Sequence, residues 1–574
     1  MTLPLRIIRR SPAPQAILDA RLHPVLRRAY AARGVSDAIA LDHSLERMLP
    51  LGTLDGIHAA AELLIAHRNG RILVVGDFDA DGATSTALLL RALRAWQFAS
   101  VDFLVPNRFT YGYGLTPGIV ALAAQRSPSL IVTVDNGISS IEGVAAARAL
   151  GIEVLVTDHH LPGAELPAAN VLLNPNLPGS GFASRALAGV GVAFYLAAAL
   201  RRELVTRGLI ARDAPGASTL LDLVALGTVA DVVPLDANNR ILVSQGLARI
   251  RAARCAPGIL ALLSIAGREL GSLSAADLGF AIAPRLNAAG RIDDMSIGIQ
   301  CLLADDPAEA RSLAARLDTL NTQRREIEAQ MQEEALAAVR RLRDPQAAES
   351  RHGVCLYDPG WHQGVIGLVA SRVKDALRRP VIAFADAGDG TLRGSARSIP
   401  GVHVRDVLEA IATRTPGLLA RFGGHAMAAG LTLDLDRLDA FARDFDREVR
   451  VSVEAARLID GIETDGELEL AEIALDTALA LRSGGPWGQA FPEPCFDGLF
   501  RVRNVRVINE KHLKMWLEVP RSGRSFDAIA FNALESRSFV EAPDAHARFV
   551  YRLGVNSWNG ESRLQLVIDH VLPP

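Results

Sequence analysis

Apolar runs at 72–76, 101–105, 130–134 and 153–157 are short and rich in β-branched residues, the pattern of buried strands. Between them, Ala- and Leu-rich stretches at about 83–97, 116–125 and 139–149 read as helices. This alternation predicts an α/β domain with a mostly parallel sheet and helices on both faces. Residues 1 to about 50 read as a mixed, helical lead-in interrupted by Pro12, Pro14 and Pro24, and 187–255 read as helical. A glycine-free stretch at about 303–343 carries one apolar side (Leu313, Leu317, Leu320, Ile327, Met331). It predicts a long helix connecting two lobes. A second, smaller α/β lobe begins near 352, with strands at 354–357 and 380–384. From about 495 the texture changes to alternation, at 500–507, 513–519, 526–531, 549–553 and 564–567. Five short strands with turns predict a C-terminal OB-like β-barrel.

In such a sheet the ligand crevice lies off the carboxyl ends of the strands, and the residues found there are chemically unusual. The first run ends in Asp77, Asp79 and Asp81. In an extended segment residues two apart point the same way, so these three acids are expected to converge. Like charges that close need a cation, and hard divalent ions prefer oxygen ligands. The second run leads to Pro106-Asn107-Arg108, the third to Asp135-Asn136-Gly137, and the fourth to Thr157-Asp158-His159-His160. One imidazole can ligate while its neighbour moves a proton or binds an oxyanion. Asp231 is a lone acid in the apolar segment Leu226–Leu235. It ligates a metal, caps a helix or sits in an exposed loop, because an unpartnered buried acid is costly.

Arg285, Asn287 and Arg291 lie in Ala283–Arg291 and are phosphate-reading types; the other reading is a helix-to-loop connection with solvated arginines. Trp361–Gly367 opens a helix, a ready anion site. Ser395 and Arg397, with His425 in Phe422–Gly430, suit a phosphate clamp or belong to ordinary turns. In the C-terminal segment Arg501, Arg503, Arg506, Lys511, Lys514, Arg521 and Arg524 stand beside His512 and Trp516, with Trp558 in the last hairpin. Basic grooves with stacking aromatics bind single strands; the alternative buries Trp516 in the core.

Composition narrows the classes. Among 574 residues, 61 are basic and 64 acidic, a net charge of −3, which argues against a general polyanion coat but allows a local basic groove. Cys255, Cys301, Cys355 and Cys495 form no CxxC, so neither a zinc knuckle nor a disulfide framework is indicated. Met1–Arg10 lacks a signal-peptide apolar core, and no apolar stretch nears 18 residues. A cytoplasmic protein without a membrane span is expected.

The motifs Gly76–Gly82, Val134–Gly137, Thr157–His160 and Thr228–Asp231 resemble the four signatures of the DHH phosphoesterase superfamily. Pro106-Asn107-Arg108 with Gly112-Tyr113-Gly114, Pro284–Arg291, Trp361–Gly367 and Phe422–His425 narrow the resemblance to the RecJ family of bacterial exonucleases, over about 70–570. Phe78 stands where the family often has Tyr, and Trp487 where Phe is usual. The resemblance implies a DHH catalytic domain at 51–302 after the lead-in 1–50, and a connector at 303–343. A substrate-binding DHHA1 domain at 344–460 and the OB-like domain at 461–574 complete it. It implies two ions, Mn2+ or Mg2+. Asp79 and Asp135 would hold one, with Asp77 nearby; Asp81, Asp135, His159 and Asp231 would hold the other. Asp158 and His160 would stand behind the ligands or assist the leaving oxygen. The implied activity is 5′-to-3′ hydrolysis of single-stranded DNA to mononucleotides, in repair and recombination. Arg108, Ser395 and Arg397 would take the 5′-phosphate, and Arg285, Asn287, Arg291 and His425 would line the strand's path. A monomer is expected, with a single-strand-binding protein and a helicase as partners. Two rivals remain: a phosphodiesterase of short oligonucleotides or cyclic dinucleotides, which generally lacks the third domain, and an inactive DNA-binding scaffold, which loses metal ligands.

Overall fold

Alternate residues of the apolar runs face opposite sides, and the computed structural model buries both sides of those at 72–76, 130–134 and 154–157 while the run at 101–105 stays partly exposed. It describes residues 6–11, 18–106, 111, 113–341, 352–388, 390–456, 461–533, 546–558 and 561–572. Five strands, β1 (Arg71–Gly76), β2 (Ser100–Leu104), β3 (Leu130–Val134), β4 (Glu153–Thr157) and β5 (Val171–Leu173), form a sheet. Their order is β2-β1-β3-β4-β5 and every neighbouring pair is parallel. Ile72 and Val74 face the main core, with α1 (Ala80–Ala95) against them. Leu73 and Val75 face a second cluster with α2 (Pro117–Ala124) and α3 (Ile141–Ala149). β5, only three residues long, is too short for its pattern to stand out in sequence.

Burying each such side chain is worth roughly 1.5–3 kcal/mol, and a one-residue slip would turn all of them to the wrong face. Register is therefore fixed. Gly76 pairs with Val134, and Val134 with Thr157, so the residues that follow (Asp77, Asp135, Asp158) emerge side by side. Strand order reverses between β1 and β3, the switch point where such sheets bind ligands.

Helices α4 (Gly189–Thr206), α5 (Leu221–Ala230) and α6 (Ala283–Ile292) complete the catalytic core. Thus 283–291, read from sequence as a possible helix-to-loop connection, is helix throughout. The connector is one helix, α7 (Pro307–Arg341). Its apolar stripe is divided: Ala310, Ala314, Leu317 and Leu320 belong to the catalytic core, and Met331 and Ala335 to that of the second lobe. In that lobe β6 (Val354–Tyr357), β7 (Val381–Asp386), β8 (Thr391–Arg397), β9 (Arg421–Gly424) and β10 (Ala428–Asp434) run in the order β9-β10-β8-β7-β6. Its helix α8 begins at Ile366 and ends at Leu377, so most of the motif Trp361–Gly367 is the loop before it. Phe422–Gly430 is a β-hairpin rather than a turn.

The last five strands, β11 (Phe496–Ile508), β12 (His512–Glu518), β13 (Ser525–Ala530), β14 (His546–Trp558) and β15 (Glu561–Leu572), close into a barrel. The lead-in differs from the helical expectation. Arg6–Arg9 is a strand paired in parallel with Gly461–Thr464, and among the described residues of the lead-in only Pro24–Ala31 is α-helix. Arg9 reaches buried Asp497 at 2.7 Å and Arg33 reaches Asp465 at 2.6 Å. A four-residue strand whose partner lies some 450 residues away has no local signal. Among the described residues, no single helix is long and apolar enough to cross a membrane.

Candidate metal centre and strand path

The three acids after β1 do not share one spot by extended alternation: Asp77 and Asp79 lie in one donor set with Asp135, and Asp81 in the adjoining set with His159 and Asp231. The chain turns into α1 immediately: Asp79 is the N-cap, accepting from the Gly82 N–H at 3.0 Å, and Asp81 lies in the first helical turn. Asp77 accepts from the Phe78 N–H at 2.8 Å. Asp81 is buried against the start of α4, accepting from the N–H groups of Gly189 (2.6 Å) and Val190 (2.9 Å). A helix N-terminus favours a carboxylate there. Asp135 follows β3 with φ +61°, unusual outside glycine. Asp231 stands at the C-cap position of α5, as the capping reading has it, and its carboxylate also lies in the donor cluster with Asp81 and His159; the exposed-loop reading does not hold.

Two glycines permit the close approach. A Cβ on Gly189 would lie 2.7 Å from both Cβ and Oδ1 of Asp135, and one on Gly227 would lie 2.2 Å from Thr84 Oγ1 and 2.8 Å from Asp81 Oδ1.

His159 Nε2 stands 3.1 Å from Asp135, 3.4 Å from Asp231 and 4.0 Å from Asp81. Donor atoms of Asp77, Asp79 and Asp135 come within 4.8 Å of one another, as do those of Asp81, His159 and Asp231, and those of Asp135, His159 and His160. Two adjoining sets of hard oxygen donors, one with an imidazole, suit a pair of Mn2+ or Mg2+ ions. Buried atoms are left for such ions: Asp135 Oδ1 and His159 Nε2 have no hydrogen-bond partner among the described residues.

The electrostatics agree. Burial, then repulsion from Asp81 and Asp79, holds Asp135 well above the usual carboxylate range, and the same causes act on Asp231. Burial and Asp79 push Asp81 up to about 7. Burial and the neighbouring His160 lower His159 to about 4, leaving a neutral imidazole, the ligating form. Two carboxylates about 4 Å apart repel by roughly 4 kcal/mol at an effective dielectric of 20, which divalent cations would turn into attraction.

Asp158 is fully engaged elsewhere. Oδ2 accepts from the Ile138 N–H at 2.9 Å, and Oδ1 from the backbone N–H groups of His159 (2.7 Å) and His160 (3.1 Å). Oδ1 also pairs with His160 Nδ1 at 2.7 Å. Burial lowers the pKa of His160, but the bond to Asp158 and that carboxylate's charge outweigh it and lift the imidazole to about 9.

Three residues escaped sequence reasoning as site members. The Asn174 and Asn176 amides donate to the carbonyls of His160 (2.9 Å) and His159 (2.6 Å), fixing the histidine turn from the end of β5. The signal was Asn-Pro-Asn after a short apolar run. The Tyr113 hydroxyl lies 3.3 Å from His160 Nδ1 and 3.4 Å from the Asp135 carbonyl.

The candidate strand-binding residues divide. Arg397 donates to Ser395 Oγ at 3.0 Å and to the Ala396 carbonyl at 2.8 Å, and both side chains face Gly367 at the start of α8. No carboxylate pairs with Arg397 among the described residues. Arg291 donates to the Gly364 carbonyl at 3.2 Å, at the seam between the lobes. His425 is exposed in the β9–β10 hairpin, near enough for its charge to act on His159. Two candidates are already engaged within the protein: Arg285 is bound to Asp318 of α7 at 2.8 Å, and Asn287 accepts from the Ala80 N–H at 2.7 Å. Asn287 thus steadies the acidic turn. Arg108 lies outside the described residues, as does the Trp558 side chain. On the barrel Trp516 is 49% exposed rather than core, beside Lys514 and Arg506 in a hollow of about 850 Å³.

A mostly parallel α/β domain with two adjoining acid-and-imidazole donor sets at its strand ends, tied by one helix to a second lobe, defines a DHH-type metal-dependent phosphoesterase. The DHH family, N-terminal domain, matches residues 71–228; the DHHA1 domain matches 351–450; the RecJ OB domain matches 464–570. The chain is 52% identical over 571 residues to the single-stranded-DNA-specific exonuclease RecJ of Dickeya dadantii, covering 99% of each chain. To the protein of that name from Escherichia coli K12 it is 51% identical over 574 residues, again covering 99% of each. A crystal structure of RecJ in complex with Mn2+ from Thermus thermophilus superposes with a TM-score of 0.80 at 30% identity, covering 100% of this chain and 80% of that one. The chain belongs to the RecJ family.

Proposed function

We propose that this protein is a 5′-to-3′ exonuclease specific for single-stranded DNA, releasing mononucleotides by two-metal hydrolysis in repair and recombination. The observation that carries the reading is the pair of adjoining donor sets around Asp135 and His159 in a chain that keeps all three RecJ domains. Asp79 and Asp135, with Asp77, would hold one ion; Asp81, His159, Asp231 and Asp135 would hold the other. When bound, the two ions supply a clamp for the attacking and leaving oxygens and a more acidic water.

The protein's own groups do the rest. His160, kept protonated by Asp158, gives a proton to the leaving oxygen, and Tyr113 orients that imidazole. Ser395 and Arg397, near the start of α8, hold the 5′-phosphate, which sets direction; Arg108, outside the described residues, is the third candidate for that phosphate. Arg291 and His425 face the strand, while Arg285 and Asn287 hold the walls of its path. We divide the chain into a catalytic domain (51–302), connector (303–343), substrate-binding domain (344–460) and OB-like domain (461–574), with 1–50 braced against the last. The protein acts as a monomer on DNA in the cytoplasm, with a single-strand-binding protein and a helicase as partners.

The test is purified protein with Mn2+ and labelled single-stranded DNA. Mononucleotides should appear from the 5′ end, and a blunt duplex should persist. Cleavage of dinucleotides alone would assign the centre to a small-substrate phosphodiesterase instead.

A further inference from the structure

Phe280 is the most exposed large hydrophobic side chain among the described residues, at 83%. It sits in a π-helical turn, Leu278–Ile282, whose Leu278, Ala281 and Ile282 are buried. Such turns are rare and concentrate at functional sites. The turn is seated on the helix that delivers Asp231: a Cβ on Gly279 would lie 3.2 Å from Val229 Cγ1. The ring therefore projects from a fixed base close to the metal centre. Burial cannot explain a phenylalanine held out in this way.

The surroundings indicate what would cover it. Phe280 forms a common lip of two hollows. One, of about 900 Å³, carries Arg251, Arg268, Arg482 and Arg552 with the acids Glu269, Asp277 and Glu493; Arg268 pairs with Asp277 and Arg552 with Glu493, which leaves Arg251 and Arg482 without a carboxylate partner among the described residues. The other, of about 400 Å³, is lined by Arg285, Arg291, Arg324, Arg325 and Arg372; Asp318 holds Arg285 and Glu328 holds Arg324 and Arg372, and Arg325 has no carboxylate partner among the described residues. An aromatic face between arginine-rich hollows matches a polyanion with flat apolar bases: arginines meet phosphates, and the ring stacks on a base without regard to sequence. An apolar protein partner would cover Arg325 and Arg482, which have no carboxylate partner among the described residues.

We infer that Phe280 is a stacking platform for a base of the single strand, held on the π-helical turn between two cationic hollows. The inference rests on the nucleic-acid reading above and adds a specific contact to it. A base on Phe280 grips the strand while its phosphates engage Arg251 and Arg482 on one side or Arg325 on the other.

The test uses the full chain in EDTA, so that nothing is hydrolysed, and a fluorescent oligothymidylate followed by anisotropy. Phe280→Ala should weaken binding about tenfold, the size of one lost base–aromatic stack. Phe280→Trp should bind at least as tightly as wild type, and Phe280→Leu should resemble Phe280→Ala, because stacking needs a π face. With Mn2+ the alanine variant should raise KM on long strands more than it lowers kcat. If Phe280→Leu binds like wild type, or Phe280→Ala changes affinity less than twofold, the platform is overturned. If Phe280→Ala abolishes self-association and spares DNA binding, the face belongs to a second copy and the inference is again overturned. Failure of the wild type to bind the oligonucleotide would remove the nucleic-acid reading itself, and the platform with it.

Discussion

Gly189→Ala tests the geometric account of the centre without touching a ligand. The new methyl carbon would start 2.7 Å from the Asp135 Cβ and Oδ1. Carbon atoms settle at about 3.5–4.0 Å, so α4 and the Asp135 turn must separate by roughly 1 Å. The Gly189 N–H also holds Asp81 at 2.6 Å, so the shift pulls on both donor sets. A misplacement of roughly 1 Å costs on the order of 100-fold in rate, while overpacking of this kind costs about 1–3 kcal/mol of stability. The expected result is a folded protein with kcat/KM on single-stranded DNA down about 100-fold and a higher Mn2+ concentration for half-maximal activity. Calorimetric titration of Mn2+ measures the second effect separately from turnover. Wild-type kcat/KM and Mn2+ affinity in a folded Gly189→Ala protein would refute the claim that close packing of α4 sets the ligand geometry.

Other predictions follow from the same contacts. Asp135→Asn should abolish turnover and yet, in EDTA, melt at or above the wild-type temperature, because it removes one of several mutually repelling buried acids; a sharply lowered melting temperature would contradict this. His160 is raised to about 9, so its contribution to stability is fully present below the unfolded value of about 6.5 and is lost as pH rises through 9. Metal-free wild type should therefore melt progressively lower from pH 6.5 to 9, and His160→Gln should flatten that slope in a thermal-shift series. Arg397→Ala should erase the preference for 5′-phosphorylated over 5′-hydroxyl strands, measured as a ratio of initial rates, whereas a preserved ratio would place the 5′-phosphate elsewhere. Asn174→Ala, which frees the His160 carbonyl, should lower activity about 10–100-fold, as the loss of a ligand-orienting partner commonly does, with binding of single strands in EDTA unchanged.

What could be read from the chain was whatever had a local period or a dense motif. β1 to β4, the long connector and the barrel strands were legible because their apolar spacing is set by burial on known faces. Asp77, Asp79, Asp81 and Asp135 were legible as candidate ligands because they come directly after β1 and β3. Less could be read where the determinant lay far away. The strand Arg6–Arg9 is defined only by its pairing with Gly461–Thr464. Asp231 stayed open between ligand, helix cap and loop residue until α5 and α1 were brought together over Gly227. Arg285 and Asn287 carried the right chemistry for phosphate, but Asp318 and the Ala80 N–H reach them first. Residue type predicts which ligands are possible; only packing decides which partner takes the lone pair.

The centre gathers acids that the fold alone leaves in conflict. Burial and mutual repulsion hold Asp135 and Asp231 far from their ordinary ionisation, while Asp81 is fixed by two N–H groups of α4 and cannot swing away. The fold prevents relaxation from several directions: sheet register places Asp77 and Asp135, the α1 N-cap places Asp79, and the Asn174–Asn176 turn places His159. Such a cluster is unfavourable on its own, and its repulsion becomes binding energy once cations enter. Metal loading must therefore stabilise the catalytic domain most strongly at the strand ends, where hydrogen exchange of the β1–α1 and β3 turns should slow far more on adding Mn2+ than that of the barrel.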